Sequence, residues 1–152
     1  QALGPALYLR GWARARAGDP VAGHADLLAG VAVDEQLGMR RGRTGVLLYA
    51  ADGLQCAGRW ADAQDQIDAA FSLAERTGER MYLPDLWLLR ARAALGQGEQ
   101  ARALSALNEC LREAGEQGAL PSCLKGKGGR GGSTPTPPAY AYQMWTRSSG
   151  GR

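Results

Sequence analysis

Glycine recurs at a fixed interval along the first 118 residues of the chain. One series has a spacing of 40 residues and comprises Gly38, Gly78 and Gly118. A second series lies between these positions at nearly the same spacing and comprises Gly18, Gly58 and Gly96. Self-similarity at a fixed period of this size is the sequence signature of repeat proteins, in which each unit packs mainly on its neighbours. The spacing therefore predicts an array of repeated units.

Each of these glycines follows a stretch in which apolar residues recur at helical spacing. Glycine is common just beyond a helix C-terminus because it adopts positive φ without strain. The stretch after Gly58 shows the helical spacing most clearly, at Ala63, Ile67, Ala70, Phe71 and Ala74. We therefore predict an all-α fold of three helical hairpins, at about residues 3–37, 40–76 and 79–116.

Local signals support the predicted helix ends. In the first hairpin, Gly18 suits a helix end, Asp19 suits the cap of the next helix, and Pro20 suits its first turn. This places the two helices at about residues 3–17 and 20–37. Pro84 indicates that the fifth helix begins late, near Leu83, because proline is tolerated in a first turn but breaks a helix interior.

Apolar residues mark the faces that we expect the helices to bury. In the first hairpin these are Leu9, Trp12, Ala13, Leu27, Leu28 and Val31. In the third hairpin they are Leu83, Trp87, Ala91, Ala94, Leu104, Leu107, Leu111 and Ala114. No further helical pattern follows the last helix, so we expect an exposed apolar edge near residues 104–114 and a marginally stable array.

Small residues stand at regular distances from the turn glycines, where the two helices of a hairpin approach each other. Seven residues before the turn these are Gly11 and Ala51, but Leu89 takes this place in the third hairpin. Five residues after the turn these are Gly23, Ala63 and Ala101. This pattern resembles the tetratricopeptide-type repeat, although a HEAT-like array with its longer unit remains an alternative because the period is 40 residues. The resemblance implies a tetratricopeptide-like superhelix.

In tetratricopeptide arrays the first helices of successive hairpins line a concave groove that binds a protein or peptide. By that analogy the candidate groove residues are Arg10, Arg14, Tyr49, Asp52 and Arg90. The arginines suit a peptide carboxylate, and the alternative is that they are solvated on amphipathic helices. Trp12, Trp60 and Trp87 are interpreted as core residues, with aromatic anchoring of a partner as the alternative.

Three segments carry a closer resemblance, and they begin at Arg10, Cys56 and Leu73. They read Arg-Gly-Trp-Ala-Arg-Ala-Arg-Ala-Gly-Asp-Pro, Cys-Ala-Gly-Arg-Trp-Ala-Asp-Ala and Leu-Ala-Glu-Arg-Thr-Gly-Glu-Arg-Met-Tyr. This wording is similar to the C-terminal repeat region of large bacterial signal-transduction ATPases, some of which carry a nucleotide cyclase domain and others a LuxR-type DNA-binding domain. The resemblance covers about residues 1–118 and implies the regulatory interaction arm of such a protein.

No residue pattern in the chain predicts catalysis, a cofactor or a metal site. The chain has a single histidine, His24, and no phosphate loop of the Gly-x4-Gly-Lys-Ser/Thr form. Asp62, Asp65 and Asp68 are interpreted as complements to a helix dipole rather than as cation ligands. The three cysteines (Cys56, Cys110 and Cys123) show no close pairing, and we interpret them as buried or idle thiols. An enzyme would require a domain that this chain lacks.

The residues from 119 onward differ in composition from those before them. Residues 1–118 contain 13 arginines, no lysine and 15 acidic residues, whereas residues 119–152 contain five cationic residues and no acidic residue. Glycine and proline exclude continued helix there, so we predict a disordered basic tail. Its Gly-x-Gly-x-x-Gly at residues 126–131 has no strand before it and is interpreted as coincidence.

Two other interpretations of residues 119–152 remain open. The tail is either a nucleic-acid-binding segment, in which cations meet phosphates and Tyr140, Tyr142 and Trp145 stack on bases, or the product of an out-of-frame reading. No leader and no membrane-spanning stretch is apparent, and we expect a cytoplasmic location. Because the chain begins at Gln1 and its first methionine is Met39, we also expect it to be part of a longer protein. The sequence thus favours a protein-interaction scaffold, with a small nucleic-acid-associated protein as the alternative.

Overall fold

A computed structural model describes residues 3–39 and 42–118, and the predictions for residues 119–152 lie outside this part. The described residues form six α-helices and no strand, so the all-α prediction is confirmed for them. The helices are α1 (Leu3–Arg16), α2 (Pro20–Gln36), α3 (Arg43–Cys56), α4 (Trp60–Thr77), α5 (Leu83–Gly96) and α6 (Gln100–Glu116). A short 3₁₀ turn, Arg80–Tyr82, precedes α5.

The helices pair as three hairpins in chain order, α1 with α2, α3 with α4 and α5 with α6. The first helix of each hairpin also packs on the first helix of the next, and α2 and α4 each contact the first helix that follows them. A buried side-chain amide links the last two hairpins, because Gln55 Nε2 donates a hydrogen bond of 2.6 Å to the Leu89 carbonyl. The core runs through these contacts, from Tyr8 and Trp12 to Leu86 and Leu89.

The predicted helix ends of the first hairpin match the structure within one residue. Asp19 caps α2, accepting a hydrogen bond of 2.9 Å from the Ala22 amide, and Pro20 occupies the first turn. Helix α5 begins at Leu83, as Pro84 indicates. These signals act locally, within one helical turn, and so they can be read from the sequence alone.

The turn glycine of the third hairpin is Gly98, and the prediction of Gly96 was wrong. Gly98 has φ +77° and ends the turn, whereas Gly96 is the last residue of α5. The residues with positive φ at the three turns are therefore Gly18, Gly58 and Gly98, with a spacing of 40 residues throughout. A Cβ on Gly96 would lie 2.6 Å from the ring of Trp60, so close packing on that ring explains the glycine at position 96.

The corrected turn also corrects the small residues of the third hairpin. Counted from Gly98, the positions seven before and five after are Ala91 and Ala103, and both side chains are buried. Ala101, the predicted contact, is exposed, and Leu89 packs in the core outside the small-residue position. All three hairpins thus carry small residues at both positions. In the first hairpin, a Cβ on Gly11 would lie 2.6 Å from the Gly23 carbonyl oxygen.

The predicted apolar faces are correct in part. The α4 residues Ala63, Ile67, Ala70 and Ala74 are all buried, and Trp12 and Leu27 are buried in the first hairpin. Ala13 and Leu28 are exposed, contrary to prediction. Leu104 and Leu111 are 64% and 60% exposed, which confirms the expected apolar edge on α6.

Candidate interaction site

The five predicted groove residues do not form one accessible surface. Tyr49 and Asp52 are buried, with 1% and 3% of their surface exposed, so neither is available to a partner. Burial raises the pKa of the Tyr49 hydroxyl well above its ordinary value. Arg10, Arg14 and Arg90 reach the surface, but each one is paired with a carboxylate of its own chain.

Asp52 is the centre of a polar cluster that joins all three hairpins. Its carboxylate accepts hydrogen bonds from Trp12 Nε1 at 2.7 Å, from Arg16 Nη1 at 2.8 Å and from Arg92 Nη1 at 2.8 Å. Trp12, Asp52 and Arg92 stand 40 residues apart and so occupy the same place on α1, α3 and α5. Two arginines offset the cost of burying this carboxylate, and the cluster therefore has a structural role.

Arg10 and Arg14 bind Asp26 within the first hairpin. Arg10 donates two hydrogen bonds to the two oxygens of Asp26, at 2.8 and 2.7 Å, and Arg14 donates a third at 3.0 Å. The hydrogen bond from Arg10 is the main cause that holds the pKa of Asp26 below its ordinary value. The sequence pattern predicted the arginines but not this buried partner, which lies on the opposite helix.

Arg90 lies over two aromatic rings between α4 and α5. Its guanidinium carbon is 4.2 Å from the Phe71 ring centroid and 5.0 Å from that of Trp87, and its Nη2 pairs with Asp68. The two rings contact each other edge to face, with centroids 4.6 Å apart. Such cation–π stacking stabilises a packed interface. Trp12 is buried as predicted, and Trp60 packs against Gly96.

An open groove lies between α2 and α4, over α3, and we call it the first groove. Its volume is about 320 Å³. Four apolar residues form its floor, namely Ala15, Leu27, Ala50 and Leu54. Polar residues stand along its rim, namely His24, Arg59, Asp62, Asp65 and Gln66. Arg59 pairs with Asp62 at 2.7 Å, and Asp65 is exposed, so the rim carries an excess of negative charge when His24 is neutral.

A second groove occupies the equivalent place between α4 and α6, over α5. Its volume is about 200 Å³. A shift of 40 residues converts the lining of one groove into that of the other: Ala50 corresponds to Arg90, Asp62 to Arg102 and Asp65 to Ser105. Where the first groove has the methyl group of Ala50, the second is occupied by the Arg90 side chain. The first groove is therefore the larger and more acidic of the two.

A search with protein-family models, a search of curated proteins and a search of solved structures each found no match to this chain. The resemblances to tetratricopeptide repeats and to the repeat arms of signalling ATPases therefore stay predictions.

The chemistry of the described residues is that of binding. His24 is exposed, as predicted, on the rim of the first groove. Within residues 3–39 and 42–118, no group of His, Cys, Asp or Glu is arranged to hold a metal ion. Cys56 is exposed and Cys110 is buried, where its thiol donates a hydrogen bond to the Pro84 carbonyl at 3.1 Å. Among the described helices, none has the length and apolarity needed to cross a membrane.

Sequence reasoning missed Arg16, Asp26, Arg92 and the first groove. For the Asp52 cluster a signal was present, because Trp12, Asp52 and Arg92 share the 40-residue period of the glycines. A donor, a carboxylate and a cation at equivalent places on adjacent helices predict a contact between repeats. For the first groove the signal is weaker, since the groove depends on small residues at Ala15 and Ala50 that also suit a tightly packed core.

Proposed function

We propose that the described helices form a tetratricopeptide-like array and act as a protein-interaction scaffold. Three features support the array: the 40-residue turn spacing, the small residues at both crossing positions of every hairpin, and the packing of each first helix on the next. The similarity of residues 1–118 to the repeat arms of bacterial signalling ATPases supports a place in such a regulator.

The first groove is the proposed binding site, and its counterpart in the next repeat carries the inference. There, the chain fills the equivalent space with the Arg90 side chain, which combines an alkyl stem with a cation. The first groove leaves this space open above an apolar floor and places Asp65 at the rim. A partner segment that presents an apolar side chain next to an arginine or lysine matches this arrangement, because its stem covers the floor and its charge faces the rim.

Selection from a displayed library of random peptides tests the proposal. We expect the full chain to enrich peptides that combine a cationic and an apolar residue. Asp65→Lys reverses one rim charge on an exposed side chain, and we expect it to weaken binding of the selected peptide about tenfold, which is about 1.4 kcal/mol. Because Asp65 lies at the surface, the loss also shrinks at high salt.

Ser72→Lys is the matched control for this experiment. Ser72 is exposed on α4 and is not part of the groove lining, so this variant adds a cation to the same helix and keeps binding. A second variant, Ala50→Leu, fills the floor without a change of charge and also weakens binding. If peptides bind equally well to all of these variants, the partner site is not the first groove.

The alternative function is nucleic-acid binding through residues 119–152, and it rests on their five cationic residues and lack of acidic ones. Retention of the full chain on nucleic acid, steeply reduced by salt and by Lys125→Gln with Lys127→Gln and Arg130→Gln, supports this alternative.

A further inference from the structure

The last helix, α6, exposes an apolar face that the other second helices bury. This face consists of Leu104, Leu107 and Leu111, and we call it the α6 outer face. A shift of 40 residues relates Leu107 to Ile67 of α4, which is fully buried, while Leu107 itself is half-buried. Leu111 corresponds to Phe71, which packs on Trp87 of α5. The α6 outer face is therefore the surface on which a following first helix packs elsewhere in the array.

The first helix, α1, exposes the complementary surface. This surface consists of Ala6, Leu9 and Ala13, and we call it the α1 outer face. Ala6 and Ala13 are exposed, and Leu9 is half-buried. Their equivalents in α5 are Leu86, Leu89 and Ala93, which are 0%, 4% and 0% exposed because the preceding hairpin covers them. The α1 outer face is thus a first-helix surface that lacks a preceding hairpin in the described part of the chain.

The two outer faces also match in size and charge. Leucines project from one face, while the other offers two alanines and one leucine, as where side chains of different size interdigitate between packed helices. Helix α1 contains three arginines and no acidic residue, whereas α6 contains three glutamates and two arginines. Electrostatic attraction therefore favours contact between α1 and α6 over contact between two copies of α1.

We propose that the α6 outer face of one copy binds the α1 outer face of a second copy, and so continues the contact between successive hairpins from one molecule to the next. The occupant is a second copy because its α1 has the same place in the repeat as the helices that cover α2 and α4. Such an interface is heterologous, so each bound copy leaves one free face at either end, and growth is open rather than closed at a dimer.

Sedimentation velocity of the full chain over a concentration series tests this inference. The contact involves few residues and is smaller than a standard interface, so we expect association with a dissociation constant on the order of 0.1 mM. The weight-average mass then rises beyond that of a dimer at the highest concentrations. Leu104→Lys with Leu111→Lys blocks the α6 outer face, and Ala6→Lys with Ala13→Lys blocks the α1 outer face. Each double variant, alone, remains a monomer.

A mixture of the two double variants gives the decisive result. Each variant keeps one intact face, so the mixture forms a heterodimer that cannot grow further. The control is Val21→Lys with Leu28→Lys, which replaces two exposed apolar residues of α2 and leaves association unchanged. Circular dichroism checks that every variant keeps the helix content of the unmodified chain.

Three outcomes would overturn the inference. A monomer at every concentration shows that the α6 outer face takes no second copy, including the case in which residues 119–152 cover it. Association that the α6 variant abolishes and the α1 variant leaves intact shows a symmetric contact between two α6 helices. Equal loss in the α2 control shows general apolar aggregation.

Discussion

Asp26 couples the stability of the first hairpin to pH. The hydrogen bond from Arg10 lowers the pKa of Asp26 in the folded chain, and no such partner is fixed in the unfolded chain. The ionised carboxylate therefore stabilises the fold at pH values above the unfolded pKa, and this contribution is lost as the pH falls through the folded pKa. We expect the free energy of unfolding to decrease between about pH 5 and pH 2, and Asp26→Asn to make this decrease shallower. Urea titrations at a series of pH values measure the effect.

Asp65→Asn provides the control for this pH dependence. Asp65 is an exposed carboxylate on α4, and its replacement leaves the acid part of the stability curve unchanged. If Asp26→Asn and the unmodified chain lose stability in parallel as the pH falls, the contacts from Arg10 and Arg14 do not contribute in solution.

The turn between α5 and α6 depends on the backbone conformation of Gly98. Its φ of +77° lies in the left-handed region, which costs a residue with a Cβ about 1 kcal/mol. We expect Gly98→Ala to lower the free energy of unfolding by about 1 kcal/mol, measured by urea titration. Gly115 is the matched control, because it lies in the last turn of α6 with open space at its Cβ position. Gly115→Ala therefore stabilises the chain by about 0.5 kcal/mol. A loss of stability in Gly115→Ala equal to that in Gly98→Ala would argue against this account of the turn.

The third hairpin shows where the prediction of elements from sequence succeeds and where it fails. Gly96 and Gly98 both suit a helix end, and only the packing of Trp60 against Gly96 decides between them. That contact joins residues 36 positions apart, beyond the reach of local signals. The consequence was a shift of two residues, which put Ala101 in the place of Ala103. A strict 40-residue period would have given the correct turn.

The candidate site was harder to predict than the elements, because polar residues in amphipathic helices are ordinarily assigned to the surface. Asp52 lies inside the array since Arg16 and Arg92 reach it from the neighbouring hairpins. Arg10 and Arg90 were correctly placed at the surface, but their partners Asp26 and Asp68 lie on second helices. These pairings depend on how two helices pack, which the sequence of one helix does not contain.

At the scale of the whole molecule, Asp26 and Asp52 differ in what they connect. Asp26 binds arginines of its own hairpin, whereas Asp52 accepts hydrogen bonds from the hairpins on both sides. The stability of a repeat array is approximately the sum of the stability of each repeat and of the contacts between neighbours, and its cooperativity comes from the contacts. Replacement of Asp52 therefore weakens the coupling between hairpins, while replacement of Asp26 weakens one hairpin.

We expect Asp52→Asn to lower the free energy of unfolding by about 2 kcal/mol, because it leaves two partly exposed arginines without their shared charge partner. We also expect it to reduce the dependence of that free energy on urea concentration, since the hairpins then unfold in steps. Circular dichroism and tryptophan fluorescence then report different midpoints, whereas they coincide in the unmodified chain and in Asp26→Asn. Coincident, equally steep transitions in Asp52→Asn would show that apolar contacts such as those of Leu86 and Leu89 alone make the array cooperative.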